Sequence, residues 1–345
     1  MNRALLLTFL TLFLFCSLTQ ATERKDSLAD WQPTFDPSSA EFTYLLSCVG
    51  HPAIEGVAAG FKIRDKVWEK SKGRLYVDFR PLSQLGGEKD VISKLKLGAV
   101  QGMMSSSVAA ANIAPRLGVV NLPYVVDTFK KLDQFRNSET LWQPFSTAAA
   151  AQGILIADFT GYGSYGWATK KPVNTLSDAE NVNFRIAEAP VNIDTYKAWG
   201  FKFTVMPWPD VPQALQTGVI DGLDHTPIVC NISKKFTIAR YYTELDYAQG
   251  LYIHLINQRW LNKLPADLRE ILLQTIAEES AAARKLTEQQ QKKQIAAAKA
   301  DGVEFIQLNE ADRALLIKKA EPIYNKWGKE IGADYLKRVR DVLSR

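Results

Sequence analysis

An α/β fold in two domains is the architecture this sequence predicts, and three observations carry it. Runs with the two-residue period of strands alternate along the chain with runs of helical period. Once an N-terminal leader is set aside, roughly 320 residues remain, more than one hydrophobic core usually serves. Asn183 to Pro227 reads as strand, helix, strand, helix, strand without interruption. Such alternation favours mostly parallel sheets with helices on both faces.

The chain opens like an export signal. Asn2 and Arg3 form a short basic start, Ala4 to Phe15 is an unbroken apolar or hydroxyl run, and Thr19-Gln20-Ala21 carries small residues at both key cleavage positions. The run is too short to span a bilayer comfortably. Cys16 follows bulky Phe15, where a lipoprotein signal takes a small residue. Residues 1–21 are therefore expected to be a signal peptide and 22–40, polar with scattered Pro and Ser, a flexible leader. Losing Arg3 lowers the net charge from +5 to +4, a mild basic bias. No Lys/Arg block points to nucleic acid.

Glu41 to Val49 is the first strand. Ile54 to Lys72 is an amphipathic helix closed by Gly73. Leu75, Val77 and Phe79 alternate with polar residues in a second strand, Asp90 to Leu97 is helical, and Met103-Met104 end a short strand before Ser105-Ser106-Ser107. Ile154–Thr160 and Tyr165–Thr169 lead into the second domain, and Tyr241–Leu261 is a long strand region leading back. Pro265 takes the favoured first-turn position of a helix that meets no Pro or Gly before Gly302. Read as one helix it is about 54 Å long; an unmarked break would make it two. Asn309 caps a last helix, with Asp312 placed to reach back, and Pro322 and Gly328 are expected to kink or break it. Cys48 and Cys230 remain in the mature chain, either bridged or as two buried thiols.

One charged side chain, Arg185, sits in an apolar strand between Phe184 and Ile186. A guanidinium there is costly unless an anion pairs with it, and its planar fork matches a carboxylate. The same segment closes with Ala214-Leu215-Gln216-Thr217-Gly218-Val219-Ile220-Asp221-Gly222. This pattern resembles the solute-binding, DctP-type subunit of tripartite ATP-independent periplasmic (TRAP) transporters, where a strand-borne Arg opens the segment and A-L-Q-x-G-x-x-D-G ends it. Pro81-x-x-Gln84-Leu85-Gly86-Gly87, Leu97-x-Ala99 and Leu122-Pro123-Tyr124 follow the family order, so the similarity runs from Glu41 to Trp327.

The resemblance implies a two-lobe periplasmic-binding-protein-like fold with a ligand cleft between lobes and a long C-terminal helix bracing both. Lobe I is expected over 41–162 plus 250–290, and lobe II with the C-terminal helices over 163–249 plus 291–345. It further implies a monomeric, periplasmic protein that closes on a small organic acid and docks onto integral-membrane TRAP subunits driven by an ion gradient. Strand ends and following turns should line the cleft. These are Cys48 to His51, Gly86-Gly87-Glu88, Ser105-Ser106, Tyr162 to Trp167, Arg185, Trp208 and Asp224-His225.

Arg185 takes the family's carboxylate-binding place, against an alternative in which Glu188 or Asp194 pairs with it. Trp208 stands where the family often has an aromatic flanking the ligand, or else is a core Trp. His225 matches an Asn that bonds the ligand carboxylate in many relatives, and its imidazole would add charge at low pH. Asp224 is expected to orient that imidazole or bond a ligand hydroxyl. Ser164 and Tyr165 lie where many relatives carry a second Arg, and this chain has none there. Tyr165 can still donate one hydroxyl bond. Ser105, Glu88 and Cys48 complete the candidate set. One Arg suits a monocarboxylate with an apolar or aromatic body, or a keto or hydroxy acid; a C4-dicarboxylate needs His225 as second anchor.

No catalytic constellation, cofactor or metal is expected. Tyr162-Gly163-Ser164-Tyr165-Gly166 has Tyr where a nucleophile elbow needs its first Gly. The histidines His51, His225 and His254 have no zinc-type spacing, and there is no G-x-G-x-x-G or P-loop. The rival readings are a binding protein serving a sensor or an ABC permease, and an exported α/β hydrolase using Ser164.

Overall fold

The structure, a computed structural model, describes residues 27–344, so the signal-peptide reading of 1–21 lies outside the described residues. The strands are β1 (Phe42–Cys48), β2 (Leu75–Arg80), β3 (Gly102–Ser106), β4 (Ile154–Thr169), β5 (Asn183–Ile186), β6 (Lys202–Val205), β7 (Gly222–His225), β8 (Tyr241–Asn257) and β9 (Glu304–Gln307). They form one nine-stranded sheet in the order β2-β1-β3-β8-β4-β7-β5-β6, with β9 beside β8. Pairing is parallel within β2-β1-β3 and within β7-β5-β6, as the alternation with helices predicts. The two long strands β4 and β8 are antiparallel to each other, and antiparallel to β7 and β3 respectively.

β4 is continuous where the sequence suggests two pieces, Ile154–Thr160 and Tyr165–Thr169, and the long region from Tyr241 is one strand as far as Asn257, followed by a short helix over Gln258–Leu261. β4 keeps pairing with β8 through register shifts at Ile156/Asp158, Gly161/Gly163 and Ser164/Gly166. Gly163 adopts φ +105°, which glycine tolerates without strain. Gly250 lies under the ring of Tyr162, with no room for a Cβ. Opposite Tyr165 the partner strand bulges, so that Leu245 to Ala248 fall between the pairs Gly166–Glu244 and Ser164–Gln249. Such bulges bend strands and end local pairing, which suits a crossing point between lobes.

The helix after Pro265 is unbroken, running Ala266–Ala300 over 35 residues. That is about 52 Å. Its side chains reach both halves of the molecule. Gln290 bonds Glu55 N at 3.0 Å and Ala53 O at 2.8 Å, Gln291 takes Ser164 N at 2.7 Å, and Gln294 takes Asn231 Nδ2 at 2.7 Å.

Several local expectations are corrected. From residue 27 the leader packs down: Trp31 stacks on Phe61 at 4.7 Å and Phe35 on Trp68 at 4.5 Å, and Arg64 Nη1 donates to Trp31 O. Two aromatics in a polar stretch bury enough area to hold it. The Glu310–Ile331 helix runs through Pro322 and Gly328 and ends at Gly332. Its buried face, with Leu316, Ala320, Ile323 and Trp327, outweighs the lost backbone bond. Asn309 Oδ1 accepts Asp312 N at 2.9 Å, but the Asp312 carboxylate takes Asn309 Nδ2 and Leu176 N, leaving the capping box half made. The last helix, Ala333–Leu343, reaches back: Tyr335 Oη donates to Leu141 O at 2.7 Å. Cys48 and Cys230 are both buried and unpaired.

Candidate ligand-binding site

A cavity opens where the C-terminal ends of the parallel strands face one another across the sheet, and six of the eight candidate residues line it: Arg185, Trp208, Asp224, His225, Tyr165 and Glu88. Ser105 and Cys48 do not. Cys48 lies in the core beneath Val49 and Gly50, which themselves line the cavity, and its Sγ accepts Gly50 N at 3.4 Å. Burial pushes its thiol up to about 12, so it stays protonated. Ser105 is fully buried with Oγ donating to Ser106 O, and it is Ser106 that reaches the cavity. In a strand the alternation of faces decides which of two adjacent residues is presented.

Arg185 is 5% exposed. Its Nε and Nη2 both donate to Met206 O, at 3.1 and 2.9 Å, which orients the guanidinium. Among the described residues it has no ion pair. The internal acids weighed as partners are engaged elsewhere: Glu188 with Lys89 at 2.7 Å, Asp194 with Lys326 and Trp327 Nε1. Burial works against the Arg185 charge, while Tyr165, Glu88 and Asp224 support it through space.

Glu88 opens the Glu88–Leu97 helix. Its carboxylate accepts Ser106 N at 2.6 Å and Ser106 Oγ at 2.7 Å. Burial raises its pKa, and those two bonds and Arg185 oppose the rise. Asp224 is 3% exposed; Oδ2 accepts the Tyr247 hydroxyl at 2.5 Å, and Oδ1 has no hydrogen-bond partner among the described residues. Burial lifts its pKa to about 7, against the pull of Tyr247, Arg185 and Tyr196.

Asp224 does not hold the imidazole. His225 Nδ1 accepts the Thr226 N–H at 2.9 Å, which assigns the ring proton to Nε2. Burial, then Arg185 and Lys235, push the His225 pKa well below the ordinary imidazole value. The ring is a fixed neutral donor, not the acid-side charge the sequence suggests.

Trp208 is the hub of the aromatic wall. The His225 ring lies 4.8 Å from it, Arg185 Cζ 5.6 Å and Lys235 Nζ 4.8 Å. Tyr165 shares a hydroxyl bond of 2.7 Å with Tyr162, which packs on Tyr252. Trp167, by contrast, is core, with Nε1 on the Tyr196 hydroxyl. Ser164 stands outside the cavity, and its Oγ accepts Gln249 Nε2 at 2.7 Å.

Sequence reasoning missed Asn192, Val229 and Ser233 in the wall, and Lys235 behind Trp208. Val229 and Ser233 are four apart on and just after the Pro227–Ile232 helix, so they share a face. Asn192 shares the buried side of the Pro190–Trp199 helix with Thr195, Tyr196 and Trp199, a spacing that was available in the sequence.

A buried guanidinium and a neutral imidazole donor, in a cavity between the halves of a sheet joined by two crossing strands, define a two-lobe solute-binding protein. Residues 51–330 match the profile of the bacterial extracellular solute-binding proteins, family 7 (DctP), and the chain belongs to that family. The C4-dicarboxylate-binding periplasmic protein DctP of Rhodobacter capsulatus is 26% identical over 307 residues, 88% of this chain and 91% of that protein. A TRAP periplasmic solute-binding protein from Sulfurospirillum deleyianum, solved with bound succinate, superimposes with a TM-score of 0.81 at 26% identity, over 88% of this chain and 99% of that one. The sugar acid binding protein DctPAm of Advenella mimigardefordensis, solved with galactonate, gives a TM-score of 0.83 at 20% identity over 88% of this chain and 97% of that one, a likeness of fold.

Proposed function

We infer that this protein captures a small carboxylate-bearing organic acid in the periplasm and delivers it, as a monomer, to the membrane subunits of a TRAP transporter. The observation that carries the reading is Arg185: a buried guanidinium, oriented by Met206 O, lining a cavity and without an acid partner among the described residues. A ligand carboxylate supplies the missing charge, His225 Nε2–H adds a neutral donor, and Trp208 excludes water. Family membership supports TRAP subunits as the partner over a sensor or an ABC permease. The bulges of β4 and β8 are the natural place for the lobes to hinge about the acid. Nothing supports the hydrolase: Ser164 is outside the cavity and hydrogen-bonded to Gln249. Among the described residues no helix is long and apolar enough to cross a membrane.

The test is a thermal-shift panel of succinate, galactonate, D-glucuronate, pyruvate and benzoate on the protein from residue 22, with Arg185→Ala beside the wild type. A ligand that binds the folded state raises the melting temperature by mass action. A shift in the wild type that vanishes in the variant is expected; an equal shift in both removes Arg185 from the site.

A further inference from the structure

The cavity holds more acid than an anion site should. Asp224 lines it with Oδ2 on the Tyr247 hydroxyl and Oδ1 without a partner. Glu88 lines it too, but both of its oxygens are taken, by Ser106 N and Ser106 Oγ. Arg185 makes no ion pair within 4.0 Å with either, among the described residues, and its electrostatic support is shared between them. An acid seated on Arg185 diverts that support and adds a third carboxylate to the same buried space, beside Asp224 and Glu88. Carboxylates that share one buried site cannot all stay ionised cheaply. One must take up a proton, and the candidate is the one whose ionised form is least satisfied.

We propose that the cavity binds two ligands together, the organic acid and a proton, and that the proton goes onto Asp224. The inference rests on the acid-capture reading above. The step is a simple protonation: Asp224 carboxylate plus a proton from solvent gives the neutral carboxyl, with no other bond made or broken.

The groups facing Asp224 favour this choice. From β5 comes Arg185, whose charge the acid neutralises. From β8 comes Tyr247, a donor that the neutral carboxyl can also keep. From the Pro190–Trp199 helix comes the Tyr196 hydroxyl, which accepts Trp167 Nε1 at 2.8 Å and supports the Asp224 charge without a bond of normal geometry to Oδ1. Tyr165 on β4 and Cys230 on the Pro227–Ile232 helix are neutral and kept so by burial. The adjoining His225 is neutral as well, so it cannot supply the proton. Burial lifts the Asp224 carboxyl to about 7, where small changes in its surroundings move protons.

The sign follows by linkage. The bound acid raises the Asp224 pKa above its free value, so the extra affinity is fully present below the free pKa and is lost as pH rises through the bound one. A rise of about one pH unit, modest for a like charge at close range, gives an uptake of about half a proton per acid at about pH 7.5. It also gives a fall in affinity of roughly tenfold between about pH 6 and pH 9.

The experiment is titration calorimetry with the panel acid of largest thermal shift, at about pH 7.5, in phosphate and in Tris, whose ionisation heats differ. The expected result is a heat that changes with buffer in the wild type and does not change in Asp224→Asn. Tyr247→Phe removes a bond that favours the ionised form, so its uptake should shrink at about pH 7.5 and reappear at higher pH. That variant decides the matter if Asp224→Asn does not fold. Equal heats in the two buffers, with binding that still depends on Arg185, overturn the proton site and leave acid capture standing. Uptake that persists in Asp224→Asn overturns it as well. Failure of every panel acid to bind the wild type removes the acid-capture reading and this inference with it.

Discussion

Two clusters of buried charge lie along the crossing strands, and they are built on opposite plans. At the start of β4, Asp158 is fully buried and fully engaged: Arg136 grips it with Nε at 3.0 Å and Nη2 at 2.7 Å, and Arg284 of the long helix adds Nη1 at 2.7 Å. Its own neighbour Phe159 donates a backbone N–H at 2.8 Å. Toward the other end of the same strand, Arg185, Glu88 and Asp224 share a cavity in which, among the described residues, no acid pairs with the guanidinium and Asp224 Oδ1 has no hydrogen-bond partner. The first cluster is paired within the fold. The second leaves a guanidinium without an ion pair and a carboxylate oxygen without a hydrogen bond, among the described residues, which is the difference the acid-capture reading requires between a structural cluster and a ligand site.

The largest expected effect lies in the paired cluster. Asp158→Asn leaves two guanidiniums facing each other without their carboxylate, and one of them, Arg284, is itself nearly buried. Unfolding in denaturant should show a loss of about 3–5 kcal/mol. A loss below about 1 kcal/mol would mean that solvent already serves these arginines, and the contrast with the cavity would collapse.

Arg185→Met inverts that expectation. It removes an unpaired buried charge and keeps an apolar stem, so the empty protein should change in stability by little or become more stable. Affinity for the panel acid should fall by about 2–5 kcal/mol, the cost of truncating one partner of a buried charge pair. Denaturant unfolding and calorimetry on the same sample separate the two. A stability loss as large as that of Asp158→Asn would show that Arg185 is compensated within the empty cavity.

His225→Phe sharpens the picture inside the cavity. It keeps a ring against Trp208 but loses the Nε2–H donor. Affinity should drop by about 0.5–1.5 kcal/mol. Its pH profile should match the wild type, because the wild-type imidazole is already held neutral by burial, Arg185 and Lys235. A profile that changes between pH 5.5 and 6.5 would return the titration to His225.

How much of this was legible in the sequence differs by element for physical reasons. Arg185 stood out because a charge in an apolar strand is expensive wherever it falls, and the flanking alternation fixed its place. The parallel halves followed from strand–helix order. The Asp158 network was invisible, since it joins residues from a helix, a strand and the long helix that only the fold brings together. The same holds for Tyr247, which reaches Asp224 from a bulge whose register no local pattern announces. Trp31 and Phe35 show the reverse failure: composition read 22–40 as loose, while two ring stacks decide the matter. Cys48 and Ser105 were one residue off, the distance that moves a side chain to the other face of a strand.

The smallest expected effect sits beside the cavity, in an adjoining pocket that shares Glu88, Arg185, Ala187 and Trp208 with it. There Lys89 Nζ meets Glu188 Oε1 at 2.7 Å, and Asn112 Nδ2 donates to Glu188 O at 2.9 Å. One exposed ion pair and one bond to backbone thus hold Glu188 in the wall of that pocket. Glu188→Gln removes the first and leaves the second. Solvent and salt screen an exposed pair, so equilibrium affinity should hardly move. Its effect should appear in the release rate, with the acid leaving about two- to threefold faster at low ionic strength and equally fast at high salt. Stopped-flow release of the panel acid, followed by tryptophan fluorescence, reads this directly. A rate unchanged at low salt would show that the Lys89–Glu188 pair takes no part in retaining the acid.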